Sequence, residues 1–433
     1  MKITEAHKFR IYPTPEQEEA LFRTIGCARS TWNQLVATWN DINTRLAKEE
    51  IDKDQAKELY KANKYTAIKN QEEFAYLNEV DSTALKYSQK HFDRACSDYA
   101  KGEKGKPDFK SRNHSKHSYT TCRAGKNSNN VQLTKHGLKL PKIPGYIKTV
   151  VSRNPKGNLV SVTITKEKSG KWFASLQYEV NVKDPLPVFA SSLDDIKNPG
   201  SADLGIASLL TDLVGEIVEN IRVGKKNQEK LARIDRELSR KREQAKKDKK
   251  RLSDAKNYQK QKLSRARLHE KIKNTRKDHL HKVTTSLSKT HDFIGVESLN
   301  VQGMMQNHSL AFALADVSLG EFTTLLSYKC KKNGVVLQEI GQFEPSTQQC
   351  SECLEITGPK GLKDLSVREW TCSSCHARHN RDVNAARNIL RLALIAFIID
   401  NADGMSVEEA GEIAYQFVRS LVTEHDFRVM SES

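Results

Sequence analysis

Four of the chain's eight cysteines are closely spaced: Cys350-x₂-Cys353, then eighteen residues, then Cys372-x₂-Cys375. Two short knuckles at this spacing suit a tetrahedral four-thiolate Zn²⁺ site. Four protein ligands fill the coordination shell, so this one zinc is expected to be structural. His376 and His379 adjoin the second knuckle and read as loop or phosphate contacts rather than ligands. Cys27, Cys96, Cys122 and Cys330 show no pairing pattern and read as core residues.

Three carboxylates stand where they are expensive to bury. Asp203 lies in the apolar run Ser-Ala-Asp-Leu-Gly-Ile, Glu297 ends Phe-Ile-Gly-Val-Glu, and Asp382 opens Asp-Val-Asn-Ala-Ala-Arg-Asn-Ile-Leu. A carboxylate amid apolar residues costs desolvation unless a cation or donor meets it. Three converging carboxylates would bind Mg²⁺, and two such ions can activate water and stabilise the leaving oxygen in phosphodiester cleavage. Singly, each has a plainer reading: a turn residue, a strand-end charge and a helix N-cap.

The elements that must position these groups follow from periodicity. Residues 1–12 alternate weakly, as a strand. Residues 16–102 carry apolar positions at helical spacing, as in Leu35, Trp39, Ile42 and Leu46. From 103 to 183 short alternating runs such as Val160–Ile164 and Trp172–Leu176 suggest antiparallel strands, with a hairpin at Lys168-Ser169-Gly170-Lys171. Thus 1–15 and 103–183 read as one β-barrel-like domain interrupted by a helical insertion. Residues 184–199, with Pro185, Pro187 and Pro199, read as a linker. Beyond it lie paired strands over 202–210 and 216–223 and a long helical stretch over 225–290 turning near Ser253-Asp254. A strand Phe293–Val296, a helix Val317–Lys332, a strand Val335–Ile340 and a late helix follow, the pattern of an α/β sheet.

Composition narrows the partners. With 37% hydrophobic and 29% charged residues, the chain reads as globular rather than membrane-embedded or disordered. Its longest apolar run, Ile389–Ile399, contains Arg391 and is half the roughly 20 residues a bilayer-spanning helix needs, so no membrane partner is expected. Met1-Lys2-Ile3-Thr4-Glu5 lacks the apolar core of a signal peptide. The formal charge is +17, concentrated in Lys101–Lys156 (14 bases, 2 acids) and Lys225–Lys282 (23 bases, 8 acids). Such segregation suits phosphate backbones, with Lys246, Lys247, Lys249, Lys250 and Arg251 as candidate contacts. Two solvated faces are the plainer alternative. Paired cysteines point to a reducing compartment.

Several segments together resemble the TnpB family of transposon-encoded RNA-guided nucleases and their relatives, the miniature type V-F (Cas12f-like) CRISPR effectors. They are Phe9-Arg10-Ile11-Tyr12-Pro13-Thr14, Gly26-Cys27-Ala28-Arg29, Val80-Asp81-Ser82-Thr83-Ala84-Leu85, Pro107-Asp108-Phe109-Lys110 and Tyr119-Thr120-Thr121. Asp203-Leu204-Gly205-Ile206, Val296-Glu297-Ser298-Leu299-Asn300-Val301, Thr347-Gln348-Gln349-Cys350-Ser351-Glu352-Cys353 and Asn380-Arg381-Asp382-Val383-Asn384-Ala385-Ala386 complete the set, covering about residues 1–395. The resemblance implies a multidomain α+β protein. Its parts would be a wedge-like N-terminal β-barrel (1–15 and 103–183) split by a helical recognition domain (16–102), then a RuvC-like, RNase H-type nuclease domain (200–344 and 379–433). A zinc-ribbon, target-nucleic-acid-binding insert would occupy 345–378.

The family further implies a guide RNA, double-stranded target DNA, a short flanking motif read by protein groups, and a cytoplasmic, prokaryotic setting. By resemblance, Lys86, Gln89, Lys90, Tyr119 and Thr121 are candidates to read that motif. Arg368 would offset phosphate charge near the site, with a plain surface arginine as the alternative. Three departures stand out: Leu354 where the family commonly has Gly, Ser298 where Asp often follows the Glu, and Asn380 where Asp is frequent. In the acidic tail 391–433, Ala414, Phe417 and Leu421 suit either packing or a homodimer contact. The expected activity is Mg²⁺-dependent, RNA-guided DNA cleavage. A nuclease-inactive RNA-guided repressor and a transposase are the rivals.

Overall fold

The computed structural model describes the chain except residues 1, 124, 126–128, 182–188, 343, 361–363, 365, 403 and 433, and the side chains of 424 and 426–432. The first part of the expected linker, with Pro185 and Pro187, lies outside the described residues. Two compact units emerge, 1–184 and 185–433.

In the first unit, strand β1 (Lys2–Tyr12) is followed by helices α1 (Pro15–Ala47), α2 (Lys53–Ala62), α3 (Tyr65–Lys69) and α4 (Ser82–Ala100). The helical stretch is not continuous. Glu49, with φ of 59°, leaves the helical path after α1, and a capping box of Asp52 and Gln55 starts α2. Strands β2 (His117–Cys122), β3 (Gln132–Thr134), β4 (Gly137–Lys139), β5 (Lys148–Val150), β6 (Asn158–Lys166) and β7 (Trp172–Asn181) complete the unit. Four of these and β1 form a five-stranded antiparallel sheet in the order β2-β6-β7-β1-β5. Alternate residues of β1, β6 and β7, among them Phe9, Ile11, Ile164, Ala174 and Leu176, enter a core shared with Leu21 and Ile25 of α1.

The second unit begins with β8 (Pro199–Leu204), β9 (Ser208–Thr211) and β10 (Ile217–Glu219), then α5 (Val223–Lys226) and the basic hairpin of α6 (Gln228–Lys247) and α7 (Lys256–Thr290). Strand β11 (Phe293–Glu297), helices α8 (Val301–Met304), α9 (His308–Val317) and α10 (Leu319–Asn333), and strand β12 (Val336–Ile340) follow. The unit ends with the hairpin β13 (Glu369–Thr371) and β14 (Arg378–Asn380), then α11 (Arg381–Asn401) and α12 (Val407–Glu432). Its sheet runs β10-β9-β8-β11-β12, with β8, β11 and β12 parallel. Pro199, expected in the linker, already pairs with Phe293.

The helix expected at Val317 begins earlier, at His308, and is broken at Ser318, where φ is 60°. Together α9 and α10 are long and apolar enough to cross a bilayer. Leu314, Val317, Leu319, Phe322 and Leu326 instead pack in one core with β8 and β11. In the tail, Ala410, Ala414 and Val418 of α12 are buried against Ile389, Ala393 and Phe397 of α11, with Phe417 and Leu421 beside them. That apolar face is therefore used for packing within the chain.

Candidate functional site

Parallel pairing sets the first two carboxylates side by side. Val296 pairs with Ala202, so Glu297 and Asp203 come next, at the carboxyl ends of adjacent parallel strands. Open α/β sheets bind ligands at that edge. The third carboxylate arrives on α11, which lies across β8, β11 and β12. Its approach is close at Gly295, where a Cβ would sit 2.9 Å from the Ala393 Cβ and 3.2 Å from the Ile389 carbonyl oxygen. Ser201 Oγ pins the same helix by donating to the Ala386 carbonyl at 2.7 Å. Asp382 is not the cap of α11. Asn380 is, accepting from the amides of Asp382 and Val383 at 3.0 and 3.2 Å. Asn and Asp cap comparably well, so the Asn380 departure preserves the helix start.

The three acids influence one another. Burial pushes the Asp203 carboxyl up to about 8, the charges of Glu297 and Asp382 add to the rise, and Arg381 and Arg368 oppose it. Such a cluster suits a hard dication, which would relieve the repulsion. Asp203, Asp382, Arg368 and Arg381 line a cleft of about 710 Å³, with Met304, Leu310 and Phe312 on its apolar side. Glu297 is held by the Ser346 hydroxyl, which donates to its Oε1. Arg368 Nη1 lies 2.9 Å and Arg381 Nη2 3.2 Å from Asp382 oxygens. Arg368 therefore lies beside Asp382, with about half of its side chain exposed. Arg381 and Ser346 were missed: their sole signal was adjacency to Asp382 and to the Thr347–Cys353 motif.

The second centre is the four cysteines. Their Sγ atoms lie within 4.8 Å of one another, with Cys350–Cys375 at 3.7 Å and Cys353–Cys372 at 3.6 Å. A tetrahedron with Zn–S of about 2.3 Å has S···S edges of about 3.8 Å, so the donor set fits Zn²⁺. The two knuckles are conformational twins. Leu354 and His376, each just past its knuckle's second cysteine, have φ of 64° and 61°, and their amides donate to the carbonyls of Cys350 and Cys372 at 2.9 and 3.0 Å. The family's preference for Gly at the position of Leu354 is thereby explained: it is a left-handed position. His379 is buried, its Nε2 3.1 Å from Cys350 Sγ, and its ring lies against Trp370 at 4.6 Å. That placement does not suit the phosphate contact entertained for it.

Of the other expected contacts, Lys246, Lys247, Lys249, Lys250 and Arg251 are all exposed at the tip of the α6–α7 hairpin. Lys246 pairs with Glu243 and Lys250 with Asp248. In the first unit Lys86 and Lys90 are exposed on α4. Gln89 is engaged locally, accepting from the Tyr65 amide at 2.8 Å and donating to Asp93 at 2.7 Å. Thr121 and Tyr119 require correction. Both are buried, Thr121 completely, and its hydroxyl donates to Asp81, which also takes the Thr83 hydroxyl. Tyr119 packs in the core. Neither side chain is therefore exposed, though Tyr119 also lines a cavity of about 440 Å³ with Arg29, His91 and Lys110.

The chain matches three family descriptions: "Probable transposase" over 176–308, "Cas12f1-like, TNB domain" over 320–389 and "Helix-turn-helix domain" over 1–45. The last segment is here a strand followed by one unbroken helix, β1 and α1. A "Putative RNA-guided DNA endonuclease" of Streptomyces pristinaespiralis is 32% identical over 402 residues, 91% of this chain and 90% of its own. "Putative RNA-guided DNA endonuclease InsQ" of Escherichia coli (strain K12) is 30% identical over 408 residues, covering 90% and 92%. "TnpB-like protein L770" of Acanthamoeba polyphaga mimivirus is 24% identical over 90% of this chain and 73% of its own. The fold is similar to that in a solved structure titled "Cryo-EM structure of the Cas12f1-sgRNA-target DNA complex", with a TM-score of 0.55 at 12% identity over 90% of this chain and 98% of that one. On relatives of this identity spanning nine-tenths of both sequences, the chain belongs to the TnpB/Cas12f-like family.

Proposed function

We propose that this protein is an RNA-guided DNA endonuclease that cuts double-stranded DNA matched to a bound guide RNA beside a short flanking motif. The observation that carries the reading is the convergence of Asp203, Glu297 and Asp382 at one edge of a parallel sheet, close enough for their charges to act on one another and on Arg368 and Arg381. These three carboxylates would hold two Mg²⁺ ions. When bound, the ions would supply an activated water and charge stabilisation at the leaving oxygen. The chain's own groups set the stage. Ser346 fixes the Glu297 carboxylate, and Asn380 fixes the start of the helix that carries Asp382. Arg368, with an exposed side chain at 2.9 Å from Asp382, stands where it can offset the charge of a phosphodiester.

The divisions fit this reading: a wedge-like unit from 1–15 and 103–183, a recognition insertion at 16–102, a RuvC-like nuclease domain from 200–344 and 379–433, and a zinc ribbon at 345–378. The basic hairpin would hold guide RNA and heteroduplex by backbone contacts, with sequence left to base pairing. Lys86 and Lys90 remain candidates for the flanking duplex. The protein would work beside DNA in a prokaryotic cytoplasm.

The test is cleavage of a matched plasmid, carrying a library of flanking sequences, by protein purified with its own RNA and Mg²⁺. Wild type should cut, and nuclease treatment that strips the RNA should abolish cutting, which a transposase would survive. Asp203→Ala, Glu297→Ala and Asp382→Ala should each reduce cleavage below detection while guide-dependent binding holds. Paired substitutions should look like the single ones, since groups acting as a unit do not contribute additively. Binding without cutting by wild type would favour the repressor.

A further inference from the structure

Four thiolates on one Zn²⁺ leave an excess of negative charge, and burying that charge is costly unless donors meet the sulfurs. The four cysteines are not equally wet. Cys350 and Cys372 are fully buried, Cys353 is half-buried and Cys375 is exposed. The two dry sulfurs are the two that meet a side-chain donor other than cysteine. His379 Nε2 lies 3.1 Å from Cys350 Sγ, and the Thr357 hydroxyl donates to Cys372 Sγ at 3.1 Å. Among the described residues, the side chains that meet the Cys353 and Cys375 sulfurs are those of the other cysteines. Water can serve these two instead. A zinc-bound thiolate has no proton, so at Cys350 the hydrogen must come from the imidazole, which fixes His379 with its proton on Nε2. Both donors are held in place. His379 pairs with Trp370 across the β13–β14 hairpin, with ring centroids 4.6 Å apart. The Thr357 amide donates to the Gln348 and Glu355 carbonyls, each at 3.1 Å. The four sulfurs complete the tetrahedron by themselves, which leaves both groups outside it.

We propose that His379 and Thr357 are positioning residues of the zinc centre, which damp the charge of the two thiolates that water cannot reach and so help to retain the metal. The inference rests on the four-thiolate reading of the cysteines and is independent of cleavage. Zinc analysis of the wild type checks that reading by itself. In the full-length protein, His379→Leu and Thr357→Val should each speed zinc transfer to a chromogenic chelator by about tenfold or more, since outer partners of metal ligands are worth about 10–100-fold in metal affinity. His379→Gln, whose amide can place an N–H near the same sulfur, should behave much like wild type. Protein produced with Co²⁺ in place of zinc gives a readout that loosening of the ribbon would not imitate. A hydrogen bond stabilises the sulfur electron pairs, so its removal should move the sulfur-to-cobalt charge-transfer band to lower energy while the tetrahedral d–d bands persist. Wild-type transfer rates and an unmoved band in both His379→Leu and Thr357→Val would overturn the proposal. So would zinc loss from His379→Gln as fast as from His379→Leu, because ring packing on Trp370 would then be what matters. A wild-type cobalt spectrum of three sulfurs and one nitrogen, lost in His379→Gln, would make His379 a ligand and overturn both the proposal and the four-thiolate reading.

Discussion

Asp203 has an ionisation of its own to report. Folded and free of Mg²⁺, it keeps its proton to about pH 8, because burial and then Glu297 and Asp382 penalise the charged form. In the unfolded chain it ionises near the ordinary value of about 3.9. Between those values unfolding releases a proton, so its contribution makes stability fall as pH rises and level off above about 8. Asp203→Asn should therefore melt higher than wild type without Mg²⁺, by a margin that grows from about pH 4 to about pH 8. Parallel melting curves across that range, with zinc retained, would refute the shift. Leu354 offers a second test. Holding a non-glycine residue left-handed costs roughly 1 kcal/mol, and glycine gives back part of that in unfolded-chain entropy. Leu354→Gly should leave the ribbon as stable or up to about 1 kcal/mol more so, read from resistance of residues 345–380 to protease, whereas Leu354→Val should weaken it.

The nuclease unit depends on how tightly α11 lies on β11. Gly295 leaves no room for a side chain: a Cβ there would meet the Ala393 Cβ at 2.9 Å. Gly295→Val should push α11 off the sheet, misplace Asp382, and lower both the melting temperature and cleavage. Overpacking of this kind costs about 1–3 kcal/mol. Wild-type cleavage by that variant would mean that Asp382 is positioned by something other than this contact. The basic hairpin makes a different demand. Its tip lysines are exposed, and Lys246 and Lys250 pair with acids on the same hairpin at the surface, where such pairs exchange readily for phosphate. Replacing Lys247, Lys249 and Arg251 with Ala should flatten the salt dependence of RNA binding by about 0.7–0.9 per lost contact. An unchanged slope would move the nucleic acid to another surface.

Across the whole molecule, the zinc ribbon is knitted into the nuclease unit rather than appended to it. Asn384 and Asn388 of α11 both donate to the Gln349 carbonyl, at 2.8 and 2.7 Å, and Ser346 touches the Glu297 carboxylate. Zinc loss should therefore reach the carboxylate cleft. Cys372→Ser should lower zinc content, open residues 345–380 to protease, and cost cleavage as well. One equivalent of zinc with an unchanged protease pattern would refute the four-thiolate assignment.

Some of this architecture is written within a few residues. The cysteine spacing fits a metal because a knuckle closes over three residues, and Asp203 and Glu297 stand out because an acid ending an apolar strand is costly wherever that strand goes. The antiparallel runs of the first unit and the turn between α6 and α7 are equally local, being matters of periodicity. Other features rest on segments that meet only after folding. Ser346 and Glu297 are 49 positions apart, and Ser201 and Ala386 are 185 apart. Nothing near Thr121 in sequence says that its hydroxyl turns inward to Asp81, and nothing near Leu354 and His376 says that they are twins. Hydrophobic spacing selects which face of an element is buried, but which polar groups then face one another follows from the packing of distant elements.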